Sequence, residues 1–249
     1  MRLLALAMLL CACAGPADAP GTSLEVYAAA SLKDALPDLA RAFERAHPDV
    51  ALRLSFAGSQ VLRLQLEQGA RADVFASADA EHVRALREAG LVGDAASFAR
   101  TRLALVVPRD APGAIGELEA LPRARRIVIG TDAVPIGRYT RELLRRAAQS
   151  YGEGWRREVL ARVVSEEANV RLVRAKVALG EADAAIVYAS DVSADVREVP
   201  LPHALQPEAE YVAATLRRSA APEAAGAFLA FLRSPEAAAA LAPHGFSAP

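Results

Sequence analysis

The chain has 249 residues, of which 53 % are apolar and 24 % are charged, and its formal net charge is −1 at pH 7. This length fits one large domain or two of medium size, and the composition excludes a disordered chain or a coiled coil. Acidic residues surround the arginine clusters, so a nucleic-acid partner is not expected. The only cysteines are Cys11 and Cys13, which leaves the body of the chain without disulfides or a thiol nucleophile.

The first residues have the pattern of an export signal. Arg2 precedes an apolar run over residues 3–10, which is too short to span a bilayer. The ending Leu10-Cys11-Ala12-Cys13 resembles a bacterial lipoprotein signal, in which Cys13 becomes the lipidated first residue of the mature chain. An ordinary small-residue cleavage site around Cys13 is the alternative. We expect residues 1–22 to form a leader and a tether.

Strand and helix patterns alternate along the rest of the chain. Strands are predicted at 24–29, 50–56, 73–77, 102–108, 125–130, 184–188, 197–201 and 210–216. Helices are predicted at 31–46, 59–68, 79–89, 135–149, 168–179, 222–233 and 235–242. Repeated strand–helix–strand units predict an α/β fold whose mostly parallel sheets are covered by helices.

Small or polar residues stand where predicted strands lead into predicted helices. These junctions are Ala30-Ser31, Gly58-Ser59, residues 134–137 and Asn169-Val170. Ligands of open α/β sheets bind outside the carboxyl ends of the strands, and helix N-termini attract anions. The pattern therefore indicates a site for a compact anion. For Ser31 a simple helix cap is the alternative, since Asp34 follows it at capping-box spacing.

Signatures of catalysis and of metal binding do not occur in the sequence. The four histidines are scattered, and no pair has the spacing of metal ligands. The sequence has neither a nucleophile elbow nor a phosphate-binding glycine loop. We therefore expect no enzymatic activity, no cofactor and no protein ligand to a metal.

Six segments, in order, resemble the molybdate-binding solute receptors of bacterial ABC importers. They are AAASL (28–32), FAGS (56–59), ARADVFASAD (70–79), VPIGRY (134–139), ANVR (168–171) and IVYASD (186–191). The resemblance runs from about residue 24 to 246. It implies a two-lobed periplasmic-binding-protein-like fold of type II, whose two sheets are joined by two crossover strands at 102–108 and 197–201. The first lobe would comprise 24–103 plus 197–249, and the second lobe 104–196.

The resemblance also implies a site that holds molybdate, and by similar size tungstate, without cationic side chains. Ser31 and Ser59 would each contribute a hydroxyl and an amide, Ile136 and Val170 backbone amides, and Tyr188 its phenol. Two residues depart from the family pattern. Relatives often have alanine at the position of Ile136, and a smaller residue is common where Gln60 follows Ser59.

The implied partners are an oxyanion ligand and a membrane permease driven by a cytoplasmic ATPase. The receptor itself would be an exported monomer, anchored through Cys13. Several alternatives stay open at this point. The ligand could be tungstate, sulfate or phosphate, the fold could serve a periplasmic enzyme, or the cleft could be empty in a lipoprotein used for adhesion.

Overall fold

The structure, a computed structural model, describes residues 21–110 and 115–249. The elements in chain order are β1 (Thr22–Ala29), α1 (Leu36–Ala46), β2 (Val50–Ala57), α2 (Ser59–Glu67), β3 (Val74–Ser77), α3 (Ala80–Glu88), β4 (Val92–Thr101), β5 (Leu103–Pro108), β6 (Ile127–Gly130), α4 (Pro135–Ala161), β7 (Val163–Glu167), α5 (Val170–Ala178), β8 (Ala184–Tyr188), β9 (Val196–Val199), β10 (Ala209–Leu216), α6 (Pro222–Leu232) and α7 (Pro235–Leu241). Residues 1–20 lie outside the described part, and with them Cys13 and nearly all of the predicted leader.

The strands form two five-stranded sheets. The order is β2-β1-β3-β10-β4 in the first sheet and β7-β6-β8-β5-β9 in the second. Strand β10 runs antiparallel to both of its neighbours, as does β5 in the second sheet, while the pairs β1–β2, β1–β3, β6–β7 and β6–β8 are parallel. Four strands of each sheet therefore share one direction, which confirms the predicted mostly parallel architecture.

Helices cover the two sheets separately. Helices α1, α2, α3, α6 and α7 contact the first sheet, whereas α4 and α5 contact the second. We call these two assemblies of a sheet and its helices the first lobe and the second lobe. The chain crosses between them twice, from β4 into β5 and from β9 to β10. The lobe boundaries set from the sequence, at residues 103/104 and 196/197, stay a prediction.

Burial follows from the position of each strand. Every residue of β3, β6 and β8 is buried, as expected for inner strands with helices on both faces. In β2, at the edge of the first sheet, exposed and half-buried residues alternate instead. One continuous buried apolar cluster extends from Leu24 in the first lobe to Val187 in the second.

The structure differs from the sequence prediction at four places. Residues Ala30–Leu32 form a single 3-10 turn, and α1 begins only at Leu36, without a side-chain cap at either start. Ser31 is therefore not a helix cap. Strands β4 and β7 were not predicted. Helix α4 runs on to Ala161 instead of ending near residue 149, with a break at Gly152, whose φ is +90°. In the ranges 21–110 and 115–249 no helix combines the length and apolarity that a membrane span requires.

Candidate functional site

A small cavity lies at the junctions between strands and helices of both lobes. The empty space among its lining residues, together with the solvent at its opening, is about 210 Å³. The first lobe contributes Ala29, Ala30, Ser31, Gly58, Ser59 and Ala78, and the second lobe contributes Val134, Pro135, Ile136, Asn169, Val170 and Tyr188. All five residues predicted to bind a ligand are among them, and none of these twelve residues carries a charge.

Three helices begin at this cavity, and each brings its first amides there. Helix α2 begins at Ser59, α4 at Pro135 and α5 at Val170. The first N–H groups of a helix have no partner within the helix, and the helix dipole places positive potential around them. Because Pro135 has no N–H group, Ile136 carries the first amide of α4. The predicted amide donors therefore stand at the helix positions best suited to hold an anion.

Close backbone packing fixes the start of α4. A Cβ atom on Gly137 would lie 2.0 Å from the carbonyl oxygen of Thr131 and 2.4 Å from that of Gly130. Only glycine allows the first turn of α4 to lie this close to the end of β6. This contact determines where the amide of the neighbouring Ile136 points relative to the sheet.

Both cavity serines accept a hydrogen bond from the protein. The Oγ of Ser31 accepts from the phenol of Tyr211 at 2.8 Å, and the Oγ of Ser59 accepts from the amide of Ala78 at 3.2 Å. The two serines are only 3 % and 2 % exposed. A hydroxyl that accepts one bond keeps its own proton for another acceptor. Both hydroxyls are thus set to donate to a guest in the cavity.

Tyr188 supplies a third hydroxyl, and this one lacks a partner. The residue is 1 % exposed, and its Oη makes no hydrogen bond within the described part of the chain. Edge-on contacts hold the ring of Tyr188, whose centroid lies 6.2 Å from the ring centroid of Tyr139 and 5.8 Å from that of Tyr211. Burial raises the pKa of the Tyr188 phenol well above its ordinary value, so it stays protonated and able to donate.

Two arginines in helices that begin at the cavity are occupied by carboxylates. Arg138 of α4 pairs with Asp79, and its Nε lies 3.1 Å from a carboxylate oxygen of Glu81. Arg171 of α5 pairs with Asp34. Its Nε also donates to the carbonyl oxygen of Ala30 at 2.9 Å. Each of these contacts joins the second lobe to the first, so they close the cleft and leave the cavity itself uncharged.

Gln60, one of the two departures from the family pattern, takes part in the same closure. Its Nε2 donates to the carbonyl oxygen of Ala168 at 2.6 Å, across the two lobes. The preceding Gly58 allows this approach, because a Cβ there would stand 2.4 Å from the same oxygen. Gln60 therefore lies over the rim and is not among the residues that line the cavity.

The sequence did not reveal three polar groups around the site. Tyr211 and the amide of Ala78 act on the serines from strand β10 and from the end of β3, and Tyr211 is 180 residues away from Ser31. The third is Asp191, which is buried; neither of its carboxylate oxygens makes a hydrogen bond to a described residue, and the Nε of Arg171 lies 3.9 Å from one of them. Burial is the main cause that raises the pKa of Asp191 to about 7. Its position inside IVYASD was the only signal in the sequence.

The chemistry of the cavity is that of a hydrogen-bond donor shell. Amides and hydroxyls from both lobes face one small volume and suit a guest that only accepts hydrogen bonds. The ranges 21–110 and 115–249 contain no group of three or more His, Cys, Asp or Glu arranged to hold a metal ion. Two lobes around a buried, uncharged donor shell define a receptor for a small anionic solute.

Comparison with known proteins also places the chain among solute-binding proteins. The family model described as "Bacterial extracellular solute-binding protein" matches residues 24–247, and the chain belongs to this family, whose members bind solutes for transport. Within it, the chain is similar to the "Molybdate-binding protein ModA" of Mycobacterium tuberculosis (strain ATCC 25618 / H37Rv). The two are 33 % identical over 258 residues, which are 99 % of this chain and 95 % of that protein. The resemblance found in the six sequence segments is thereby confirmed.

Solved structures confirm the two-lobed fold. The Azotobacter vinelandii periplasmic molybdate-binding protein superposes with a TM-score of 0.77 at 22 % identity, covering 91 % of this chain and 99 % of that one. The sulfate-binding protein SubI from Mycobacterium tuberculosis H37Rv gives 0.78 at 19 % identity, covering 90 % and 86 %. Because proteins named for different anions share the fold equally well, the fold alone does not select the ligand.

Proposed function

We propose that the protein captures molybdate in the cavity between its lobes and delivers it to an ABC importer. The observation that carries this proposal is the convergence of Ser31, Ser59, Ile136, Val170 and Tyr188 on one buried, uncharged cavity. The unpartnered Tyr188 phenol is its most telling part, since a buried hydroxyl without a partner costs about 1–3 kcal/mol unless a guest accepts from it.

A donor shell without cations suits a fully deprotonated tetrahedral oxyanion. Such an ion offers only acceptors, and each donor that faces it forms a charge-assisted hydrogen bond. Neutral donors also avoid the cost of a buried, unpaired cation when the cleft is open. The dipoles of α2, α4 and α5 supply positive potential at the same place.

Protonated anions are disfavoured by the same shell. Hydrogen phosphate needs an acceptor for its proton, and none of the lining side chains is a carboxylate. Asn169 is the one lining side chain with an amide oxygen, and this oxygen already accepts from the amide of Leu172 at 3.1 Å. A proton brought into the cavity is therefore left with hydroxyl oxygens alone as side-chain acceptors, and a hydroxyl that turns to accept it no longer donates to the anion, at a cost of about 1–3 kcal/mol.

Tungstate is expected to bind as molybdate does, because the two ions are nearly the same size. Sulfate is the second candidate. One observation favours it, namely that the side chain of Ile136 lines the cavity and is larger than the alanine that the family resemblance leads us to expect there. A narrower cavity favours the smaller ion, so the choice between the two rests on measurement.

The rest of the transport cycle follows from the same proposal. The lobes close over the anion by a hinge motion, held by the contacts of Arg138, Arg171 and Gln60 across the rim. The closed receptor then docks as a monomer on a membrane permease driven by an ATPase. Export and anchoring through Cys13 would keep it at the outer face of the membrane. The protein itself performs no chemistry on the ion.

A thermal melt with molybdate, tungstate, sulfate and phosphate in turn tests the proposal. At about a hundred times its dissociation constant, a ligand adds about 2.7 kcal/mol to the free energy of unfolding. That corresponds to a rise of about 5–10 °C for a chain of this size. We expect the rise with molybdate and tungstate only. A rise with sulfate alone would establish the second candidate, and no rise with any anion would contradict the proposal.

Variants of the two serines locate the binding. Ser31→Ala and Ser59→Ala each remove one hydroxyl donor, so each should weaken molybdate binding by about 1–3 kcal/mol. Titration calorimetry measures the change. Full affinity in both variants would show that the anion binds elsewhere.

A further inference from the structure

Tyr211 stands behind the cavity and has no place in the implied ligand set. It lies on β10, is fully buried, and is not among the residues that line the cavity. Three aromatic rings hold it in place: its ring centroid lies 5.8 Å from that of Tyr188, 5.2 Å from that of Phe246 and 6.3 Å from that of Phe98. Only its hydroxyl reaches the site, through the bond to Ser31 at 2.8 Å.

The surroundings of Tyr211 fix the direction of this hydrogen bond. Of two bonded hydroxyls, one donates and the other accepts. If Ser31 donated, the phenol proton of Tyr211 would need another acceptor among the aromatic rings. Ser190 and Asp191 also lie near this phenol, and Ser190 interacts with it as a second hydrogen-bonding group, but the hydrogen bond of standard geometry is the one to Ser31, at 2.8 Å. Ser31 is therefore the acceptor, and the proton of Ser31 is left to point elsewhere.

The second serine shows the same arrangement with no ambiguity of direction. The amide of Ala78 can only donate, so the Oγ of Ser59 must accept from it. Both serines of the cavity thus have one lone pair occupied by a donor of the first lobe. Each hydroxyl proton is thereby freed for the guest.

We propose that Tyr211 is a positioning residue that fixes the Ser31 hydroxyl as a donor and so keeps the Ser31 oxygen from accepting a proton of the guest. This inference rests on the proposed function and deepens it, since it assigns the source of selectivity against protonated anions. A serine without this bond rotates freely and offers an oxygen lone pair to a proton on the guest. With the bond in place, the Ser31 hydroxyl favours a fully deprotonated oxyanion, which offers it an acceptor and no proton.

The test is Tyr211→Phe, which keeps the ring and removes only the hydroxyl. In titration calorimetry we expect molybdate to bind about tenfold more weakly than to the unaltered protein. Inorganic phosphate, measured by competition at pH 6, should lose less affinity than molybdate or gain some, because Ser31 then accepts from its proton. Equal losses for both anions would overturn the assignment of selectivity.

A double-mutant cycle separates positioning from packing. In the background of Ser31→Ala, the further change Tyr211→Phe should have almost no effect, because the phenol acts through Ser31. A tenfold loss that persists in this background would overturn the proposal and assign the effect to packing. Unchanged affinity in Tyr211→Phe alone would overturn it as well.

Tyr139→Phe is the matched control. The hydroxyl of Tyr139 accepts from the amide of Glu210 at 3.2 Å, so the variant removes a half-buried phenol that contacts no cavity serine. Its molybdate affinity should stay within about twofold of the unaltered protein. A loss as large as that of Tyr211→Phe would overturn a specific role for Tyr211.

NMR of the unaltered protein tests the role of Tyr211 without a variant. If Tyr211→Phe does not fold, NMR of the unaltered protein with labelled tyrosine should show a Tyr211 hydroxyl proton protected from exchange and shifted by molybdate. A proton that exchanges freely would overturn the proposal. If the unaltered protein binds no oxyanion, the proposed function fails first, and this inference fails with it.

Discussion

Removal of the Tyr188 hydroxyl tests most sharply whether the unpartnered phenol exists for the ligand. In Tyr188→Phe the ring keeps its contacts with Tyr139 and Tyr211, while the buried Oη without a partner disappears. Since that hydroxyl makes no bond to a described residue, the variant loses nothing that holds the protein together. We therefore expect no loss of thermal stability without ligand, and weaker binding with it.

The size of the binding loss follows from the kind of bond. A hydrogen bond to a charged acceptor contributes about 1.5–3 kcal/mol, so the dissociation constant for molybdate should rise by about 10- to 150-fold. At a molybdate concentration a hundred times the original dissociation constant, a tenfold weaker variant gains only about 1.4 kcal/mol instead of 2.7. The thermal shift should then fall to about half.

Differential scanning calorimetry with and without molybdate measures both quantities in one series. Ser97→Ala serves as a control, because it also removes a buried hydroxyl without a partner, on β4 and outside the cavity lining. The control should keep the full shift. If Tyr188→Phe keeps the full shift too, or melts clearly lower without ligand, the phenol is a structural group and the reasoning about the cavity is refuted.

Three further predictions concern closure and charge. Gly58→Ala places a methyl group 2.4 Å from the carbonyl oxygen of Ala168, in the opposite lobe. Titration should therefore show molybdate binding at least about tenfold weaker, while the melting temperature without ligand stays unchanged. Equal affinity would show that the lobes need not approach so closely. Arg171→Ala removes the bond to the Ala30 carbonyl, and stopped-flow release of molybdate should become about fivefold faster. Unchanged release would mean that this contact does not hold the lobes. Asp191→Asn should remove a destabilisation that grows with pH. Urea unfolding of the variant and of the unaltered protein, at pH 4 and pH 7, measures this difference in the free energy of unfolding.

The sign for Asp191 follows from its environment. Burial raises the pKa of Asp191 to about 7. The positive charges of Arg171 and Arg174 act to lower this pKa, and the negative charge of Asp34 acts to raise it. Between its ordinary value and pH 7 the folded protein holds a proton that the unfolded chain has released, so stability falls as pH rises through this window. From pH 4 to pH 7, the free energy of unfolding of Asp191→Asn should therefore rise by about 2–4 kcal/mol relative to that of the unaltered protein. A constant difference between the proteins would contradict the raised pKa.

The sequence predicted well those elements whose local residue pattern favours the same secondary structure that their packing in the fold requires. The inner strands β1, β3 and β8 are apolar runs between turn residues, and all three lie where expected. Strand β4 was missed because Gly93, Asp94 and the following alanines have low β-propensity, and its pairing with β10 provides what the local sequence lacks. Strand β7 is a half-exposed edge strand whose acidic end resembles a helix start.

The site shows the same limit. Junction residues such as Ser59 and Val170 could be found because a helix start is a local event, which the chain marks with small or capping residues. The alternative interpretation of Ser31 as a simple helix cap was wrong, because its hydroxyl is bonded to Tyr211, 180 residues further along the chain. Long-range contacts of this kind leave no trace in the local sequence, and they decide which way the Ser31 proton points.

We propose above that molybdate binds in the cavity bounded by Ser31, Ser59 and Tyr188. Crystals grown with molybdate and measured at the molybdenum absorption edge test it most directly, because anomalous scattering locates the metal without a model of the site. We expect one strong anomalous peak, at a molybdenum atom whose oxygens lie within hydrogen-bonding distance of the two serine hydroxyls and the tyrosine phenol. A peak at a surface arginine, or no peak in the cavity at saturating molybdate, would contradict it.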